Sequence, residues 1–545
     1  MPGRASLSGQ RFDVLVIGGG INGVAIAREC VRAGRRTLLV EQNDFSSGTT
    51  SRATRIIHGG LRYLEHGEVN LVRESLRERE RLLCSAPHLV RPLQFLLVLS
   101  NQNRSLLRNS LAIRTGLWLY HQWAGRRRPA VSDLSNFERQ LDAGQSWSIY
   151  PYEDAQCEFP ERLVAEWLVE VMAAGGMVRN YTQVLQVQCS DGQVTGARLR
   201  DQTPGAPNSE FEVSAKKVVN ATGPWADFVV NASGLRATAD AKPMVGGVRG
   251  SHLVLPRFAG APSQAVYTEA IDERPFFIIP WNGQMLVGTT EVADTNPENP
   301  QPSSGEIDYM LGSLARLMPR SGMTRVDIRY TFAGIRPLPF SPGTNFAAVT
   351  RRHIIHDHRE DGAAGMISII GGKLTTAVSL AREAARKLGI AVPEPAPIYI
   401  APAPANGVES TLRQWAHLAA CKGNLSESSA QAIAEWHGRR ALAIAHAASQ
   451  NQSLAVPLCP HSDHIVAEAV EAVFYESAMT LGDVLLRRVP VALGECWSEL
   501  CSREAAKRIG SALGWNQSRI AKELESFEDE RERFLHPKRA SMGVA

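Results

Sequence analysis

Apolar residues follow two rhythms along this chain. Up to residue 388, short apolar runs that suit strands alternate with stretches in which apolar residues return every three or four positions, as helices require. From residue 409 to residue 534, Ala, Leu, Glu and Arg recur at helical spacing with few β-branched runs, which predicts an all-helical unit. A Pro/Ala-rich stretch lies between them, beginning Val392-Pro-Glu-Pro and continuing Ala401-Pro-Ala-Pro, stiff and poor in helix, and reads as a linker. In the first part, residues 68–86 form a charged amphipathic pattern stopped by Pro87, and a second helix begins at Pro160 and ends at Gly175-Gly176. Asp191-Gly192 and Asn282-Gly283 each separate two β-like runs, the second pair being the strongest hairpin signal in the chain. Parallel and antiparallel pieces are thus interleaved, which suggests a nucleotide domain interrupted by a substrate domain.

The N-terminal pattern carries the clearest chemistry. Residues 14–17 form an apolar run, Gly18-x-Gly20-x-x-Gly23 follows directly and opens an amphipathic helix, and residues 37–40 form a second apolar run closed by Glu41. Gly18 permits the tight turn, Gly20 lets a pyrophosphate approach the backbone, and Gly23 lets helix and sheet pack closely. The helix N-terminus offers unpaired N–H groups to the pyrophosphate, and Glu41 is placed for the adenosine ribose hydroxyls. A lone glycine motif is weak, but here strand, glycines, helix, strand and acid fall in register.

Composition narrows the picture only a little. With 545 residues the chain has room for two or three domains, and a formal net charge of +4 gives no sign of a dedicated nucleic-acid binder. The eight cysteines include no CxxC pair and read as reduced thiols of a cytosolic protein. Residues 1–10 have no apolar signal-peptide core, and no apolar run reaches the roughly 20 residues of a membrane span. Any membrane contact is therefore expected to be peripheral.

Three further segments bear on a bound nucleotide. Residues 217–225 run from an apolar strand into Ala221-Thr222-Gly223, a small-residue turn. Residues 366–376 lead from a strand through Gly371-Gly372-Lys373-Leu374-Thr375 into a helix, whose N–H groups, with the Lys373 cation, suit negative charge on a reduced flavin ring. Residues 49–66 hold Thr50, Ser51, Arg55, His58, Gly59, Arg62 and Tyr63, a poor recipe for a core and a good one for a ligand-lining loop.

These motifs, together with RGSHLVLP, FFIIPW, VGTTE and GIRPL, resemble those of aerobic, quinone-linked FAD-dependent glycerol-3-phosphate dehydrogenases, within the glycine- and D-amino-acid-oxidase-like flavoproteins. The resemblance spans residues 12 to about 530. It implies an α/β fold in which a Rossmann-like FAD-binding domain (1–95, 160–235 and 325–388) is interleaved with an antiparallel-β substrate and membrane-facing domain (96–159 and 236–324), followed by a linker (389–408) and an all-helical C-terminal domain (409–545). It implies FAD contacts from Gly18, Gly20, Asn22, Gly23, Glu41, Thr50, Ser51, His58, Gly59, Ala221, Thr222, Gly223, Gly371, Gly372, Lys373, Leu374 and Thr375. It implies a substrate site of Arg62, Tyr63, His252, Arg274, Arg336 and Lys373 for sn-glycerol 3-phosphate.

Residue chemistry agrees with that implication. A phosphomonoester needs converging cations, and Arg offers it a planar fork, so Arg336 and Arg62 are expected to hold the phosphate. Hydride loss from C2 to the flavin requires a base for the C2 hydroxyl proton; His252 is the first choice and His58 the second. Two local departures from the family pattern stand out: Arg55, where Lys is common, and Cys157-Glu-Phe159-Pro160, where acidic residues are common. No calcium-binding loop of the EF-hand type is present, which speaks against a calcium-regulated form.

The electron acceptor stays open between a membrane quinone and oxygen. Rivals are a flavin amine or amino-acid oxidase, disfavoured by the excess of Arg and Lys, and a non-enzymatic flavin-binding scaffold. The segment 104–128 combines Leu106, Ile113, Leu117 and Tyr120 on one helical face with Arg104 and Arg108 opposite; it reads either as a helix lying on an anionic lipid surface or as one packed on the substrate domain. The quinone acceptor favours the first, with the protein at the inner face of the cell membrane; a homodimer is compatible. His353, His356 and His358 read as part of an exposed strand and Cys459-Pro-His461 and His464 as loop residues, so no metal is expected.

Overall fold

The structure is a computed structural model that describes residues 6–61, 67–101, 110–124, 134–236, 242–342, 349, 352–393 and 407–535. Strand β1 (Arg11–Ile17), helix α1 (Ile21–Arg32) and strand β2 (Thr37–Val40) form the expected βαβ unit. β1 and β2 pair in parallel with Val14 opposite Thr37 and Ile17 opposite Val40. Both strands are almost wholly buried, as their unbroken Val/Leu/Ile runs require when helices cover a parallel sheet.

Among the described residues this unit anchors an eight-stranded sheet. On one side of β1 lie β2 and the strand Met177–Arg179; on the other lie Ser209–Asn220, Met366–Ile370 and the antiparallel Ile354–Asp357. The chain leaves β1 toward β2 while the strand on β1's other flank arrives from far along the sequence. The crevice beyond the carboxyl end of β1 is therefore a topological switch point, where open α/β sheets bind ligands. The Asp191-Gly192 hairpin joins the same sheet through Gln193–Asp201.

A second sheet, of nine strands among the described residues, is largely antiparallel. Its long pair, Val90–Ser100 with Trp147–Cys157, runs from Val90 opposite Cys157 to Ser100 opposite Trp147. The Asn282-Gly283 hairpin forms between Pro275–Trp281 and Gln284–Gly288. Val245–Leu255 pairs with Tyr330–Pro339 over ten residue pairs. Three of these strands shift the expected domain limits: Ile56–Ile57 and the start of Val90–Ser100 lie N-terminal to residue 96, and Tyr330–Pro339 lies beyond residue 325, yet all pair in the second sheet. Apolar alternation marks a strand but does not say which sheet receives it.

The C-terminal unit is helical, with helices Val408–Gly423, Glu427–His437, Ala441–Gln450, Val466–Tyr475, Glu499–Ala512 and Gln517–Leu535. Its core is continuous with that of the second sheet, where Phe332 and Tyr330 meet Phe527, Phe534 and Trp497 in one apolar cluster. The sequence linker falls mostly on residues 394–406, outside the described residues.

Candidate active site

At the carboxyl end of β1 the glycines act through space rather than flexibility alone. Gly18 has a φ of +106°, and a Cβ there would lie 2.6 Å from the Ala221 carbonyl oxygen; one on Gly23 would collide with the Gly18 carbonyl. No side chain caps α1 and its first turn holds no acid, so its N-terminus faces the crevice with backbone N–H groups and no competing negative charge. Asn22 donates to the Gly371 carbonyl at 3.2 Å, while its Oδ1 is buried with no hydrogen-bond partner among the described residues. The Glu41 carboxylate accepts from Gly19 N at 2.7 Å and Asn43 N at 2.9 Å, and burial pushes its pKa up. A buried amide oxygen without a partner, an uncapped helix start and glycine gaps where any Cβ would intrude are what a nucleotide diphosphate needs, so these residues fit FAD.

The crevice is one continuous cavity of about 1620 Å³. That exceeds the ~300–1,000 Å³ of ordinary ligand pockets, as a dinucleotide with a second ligand demands. It is lined by Gly18, Gly20, Asn22, Glu41, Thr50, Ser51, His58, Ala221, Thr222, Gly223, Gly371, Gly372, Lys373, Leu374 and Thr375, and also by His252 and Arg336. Gly23 lies beneath, against the Gly18 carbonyl. Gly59 is fixed just behind the wall: its N–H donates to Tyr120 Oη at 2.8 Å, and Tyr120 in turn donates to Asp154 at 2.7 Å. Arg79 also holds Asp154 at 2.7 Å, so this wall carboxylate is already satisfied and is a poor partner for an amine.

His252 projects from Val245–Leu255, its ring stacked on Phe332 at 5.0 Å between centroids. Its Nε2 is 3.0 Å from the Thr54 hydroxyl, and its buried Nδ1 has no hydrogen-bond partner among the described residues. Burial, with Arg336 and Arg55 nearby, presses its pKa down to about 3, so the ring is neutral near pH 7. His58 is likewise pressed to about 3, by burial and Lys373. Arg336 is positioned by its own fork: Nη1 donates to the Thr290 carbonyl at 3.1 Å and Nη2 to the Thr289 hydroxyl at 2.8 Å. It packs against Gly250, where a Cβ would come within 2.6 Å of the guanidinium carbon.

Other sequence candidates lie elsewhere. Arg274 is not among the cavity-lining residues: its guanidinium is held by Asp272 and by the Glu291 carbonyl at 2.9 Å, and lies over Tyr309. The β-hairpin turn brings it to Asp272, while its neighbours Pro275 and Glu291 line the cavity. Arg62 and Tyr63 fall outside the described residues. Arg55 is spent on Glu161, with two contacts of 3.0 Å, and stacks over Trp281, so the departure at this position serves a buried ion pair. Cys157 and Phe159 are core residues beside it.

Of the lipid-facing candidate, residues 104–109 and 125–128 lie outside the described residues. The helix Ser110–Ala124 turns Leu117 and Tyr120 into the core, leaving Trp118 50% exposed. The described part of that face is therefore packed on the substrate domain, the second of the two readings of this segment. Among the described residues no helix is long and apolar enough to cross a membrane.

The sequence reading missed the contribution of the helical unit. Arg487, Glu530, Arg533 and Phe534 line the cavity, and Phe534 covers Arg52 with 4.7 Å from guanidinium to ring centroid. Burial and Arg487 lower the Arg52 pKa to about 10. Nothing local to residues 517–535 signals this, because the pattern is that of any amphipathic helix.

A family model described as FAD dependent oxidoreductase matches residues 13–387, and one described as the C-terminal domain of alpha-glycerophosphate oxidase matches residues 367–520. A glycerol-3-phosphate dehydrogenase of Synechocystis sp. is 37% identical over 551 residues, covering 96% of this chain and 97% of its own length. A D-erythritol 1-phosphate dehydrogenase of Brucella abortus is 34% identical over 382 residues, 69% of this chain and 73% of its own. The structure of a glycerol-3-phosphate dehydrogenase from Bacillus halodurans, complexed with FAD, shares the fold with a TM-score of 0.75 at 23% identity, over 99% of this chain and 97% of that one. Fold and site together define an FAD-dependent oxidoreductase with an appended helical domain. Within that class, the chain belongs to the glycerol-3-phosphate dehydrogenase family.

Proposed function

We propose that this protein oxidises sn-glycerol 3-phosphate to dihydroxyacetone phosphate and passes the electrons to a membrane quinone, working peripherally at the inner face of the cell membrane. The observation that carries the reading is the convergence of Arg336, His252, His58 and Lys373 on the cavity that also holds the nucleotide cradle. Bound FAD supplies the hydride acceptor.

The chain's own residues do the rest. Arg336, pre-aimed by Thr289 and Thr290, brings its guanidinium charge to the phosphate. His252 is neutral and therefore able to take the C2 hydroxyl proton, while Thr54 fixes the ring at Nε2. Lys373 and the turn that begins at Gly371 put positive potential beside the cofactor contacts. His58, between Lys373 and the Thr375 hydroxyl, is assigned to the cofactor side of the pocket.

The test is anaerobic mixing of the yellow protein with glycerol 3-phosphate, glycerol and D-erythritol 1-phosphate, followed by flavin absorbance. Rapid bleaching by glycerol 3-phosphate and none by glycerol is expected. Preference for the longer phosphorylated polyol would move the substrate assignment, and no bleaching by any of the three would overturn it. Steady-state rates with a soluble quinone against oxygen then identify the acceptor, and pelleting with anionic vesicles tests the peripheral site.

A further inference from the structure

The helical domain holds a cluster that flavin chemistry does not use. Cys459, His461 and Cys501 bring two Sγ atoms and a ring nitrogen within 4.8 Å of one another. The separation of His461 Nδ1 from Cys501 Sγ is 3.5 Å. Around a tetrahedral zinc ion, with Zn–S near 2.3 Å and Zn–N near 2.0–2.1 Å, adjacent sulfur and nitrogen ligands stand about 3.5 Å apart. That edge therefore already has the length a shared ion imposes.

The backbone holds the cluster from both sides. Residues 457–465 form a small knuckle: Pro457 bridges to Ile465, Leu458 N donates to the His464 carbonyl at 2.7 Å, and Ser462 N donates to the Cys459 carbonyl at 3.2 Å. A Cys-x-His pair on so tight a turn points both ligands at one place. Opposite, Cys501 sits in the first turn of Glu499–Ala512, its N–H donating to the capping Ser498 hydroxyl at 3.4 Å. Cys459 and Cys501 are buried and His461 is exposed, which leaves an entry path on the imidazole side. A third thiol, Cys496, borders the group, donating to the His461 carbonyl at 3.7 Å.

We propose that Cys459, His461 and Cys501 bind a single zinc-class divalent ion that clamps the turn before Val466–Tyr475 to the start of Glu499–Ala512. Two thiolates and an imidazole select a borderline-soft ion over magnesium or calcium. The two thiols release their protons to solvent on binding, and no electron changes hands. Cys496 or a water fills the fourth position. In the sequence Cys459 and His461 read as loop residues, and Cys501 follows forty residues after His461 with no spacing that marks a metal motif. The proposal is independent of the substrate assignment.

The experiment is elemental analysis of the holoenzyme, purified from zinc-supplemented cells and passed over a chelating resin, with FAD absorbance measured on the same sample. About one zinc per chain is expected. His461→Ala and Cys501→Ser should each lose it while keeping FAD, and Cys189→Ser, at an exposed thiol, should retain it. Cobalt exchange should produce a thiolate-to-cobalt charge-transfer band that vanishes in the same two variants. Cys496→Ser separates a fourth thiolate from a water by the intensity of that band. Zinc far below one per chain without a cobalt band, zinc unaffected by both variants, or a Cys459–Cys501 disulfide in the unreduced protein would each overturn the proposal. If Cys501→Ser does not fold, the exposed His461→Ala decides.

Discussion

His252 Nε2 lies 3.0 Å from the Thr54 hydroxyl, across 198 residues of sequence, and the other ring nitrogen has no hydrogen-bond partner among the described residues. Thr54 belongs to the loop that follows the nucleotide cradle, so this contact orients a substrate-side histidine from the cofactor-side domain. His252→Ala should lower the rate of flavin reduction by about 10²–10⁴ fold, the usual value of a positioned base, with FAD content unchanged. Thr54→Val should cost less, because the ring stays stacked on Phe332. Stopped-flow reduction under saturating glycerol 3-phosphate is the measurement; a rate preserved in His252→Ala would remove the proton-acceptor role.

Arg336 and Gly250 form a second coupled pair. Loss of a charged hydrogen bond to phosphate is worth roughly 1.5–3 kcal/mol, so Arg336→Ala should raise KM for glycerol 3-phosphate about 10- to 100-fold. Gly250→Ala should act in the same direction with the arginine intact, since the new Cβ would stand 2.6 Å from its guanidinium carbon. FAD content should be unaffected in both. Parallel loss of FAD would assign Arg336 a structural role instead.

Much of this arrangement is written locally. The βαβ unit, the residue 160 helix and the Asn282-Gly283 hairpin depend on patterns within twenty or thirty residues, and each forms where its pattern lies. What is not local is not legible. Tyr330–Pro339 has an ordinary strand pattern, and only its ten-residue register with Val245–Leu255 places Arg336 beside Gly250. Arg274 lies next to a correctly read strand, but the turn at Ala270–Arg274 sends its side chain to Asp272. Phe534 reaches the pocket because a distant helix packs on Phe332, at 6.4 Å between rings.

Buried histidines make stability acid-sensitive. His88 is enclosed with Arg162, His437, Arg91 and Arg440 around it, and burial with these charges presses its pKa to about 3, against about 6.5 for a free imidazole. The unfolded chain therefore takes up the proton first. The stability contributed by the neutral ring is complete above pH 6.5 and is lost progressively as pH falls toward 3, by about 2 kcal/mol at pH 5. His58 and His252 titrate in the same sense. Denaturant midpoints measured from pH 8 to pH 5 should fall, and His88→Gln should flatten that slope; an unchanged slope would show that this ring does not govern it.

The bond between the nucleotide loop and the helical domain runs through Asp44 and Arg488. Both carboxylate oxygens of Asp44 accept from Arg488, each at 2.7 Å, and Arg487 adds a further contact. All three side chains are buried. Burial alone would raise the Asp44 pKa, but Arg488 and then Arg487 outweigh it and hold the carboxyl at about 2. Asp44 also accepts from Asn180 at 2.9 Å, and Asn180 donates in turn to the Ser477 carbonyl of the helical domain. Removing the carboxylate leaves the buried Arg488 without an acid, while Arg487 keeps Asp483 at 2.9 Å and Glu530, and breaking such a buried pair costs about 3–5 kcal/mol. Asp44→Ala should therefore lower the melting temperature and release FAD more readily, because residues 46–52, which line the cavity, follow Asp44 directly. Asp44→Asn keeps an acceptor and should lose less. Thermal unfolding followed by flavin fluorescence and by helix content measures both. Should Asp44→Ala melt like the parent protein with its flavin retained, the helical domain would be held to the nucleotide loop by its apolar contacts alone.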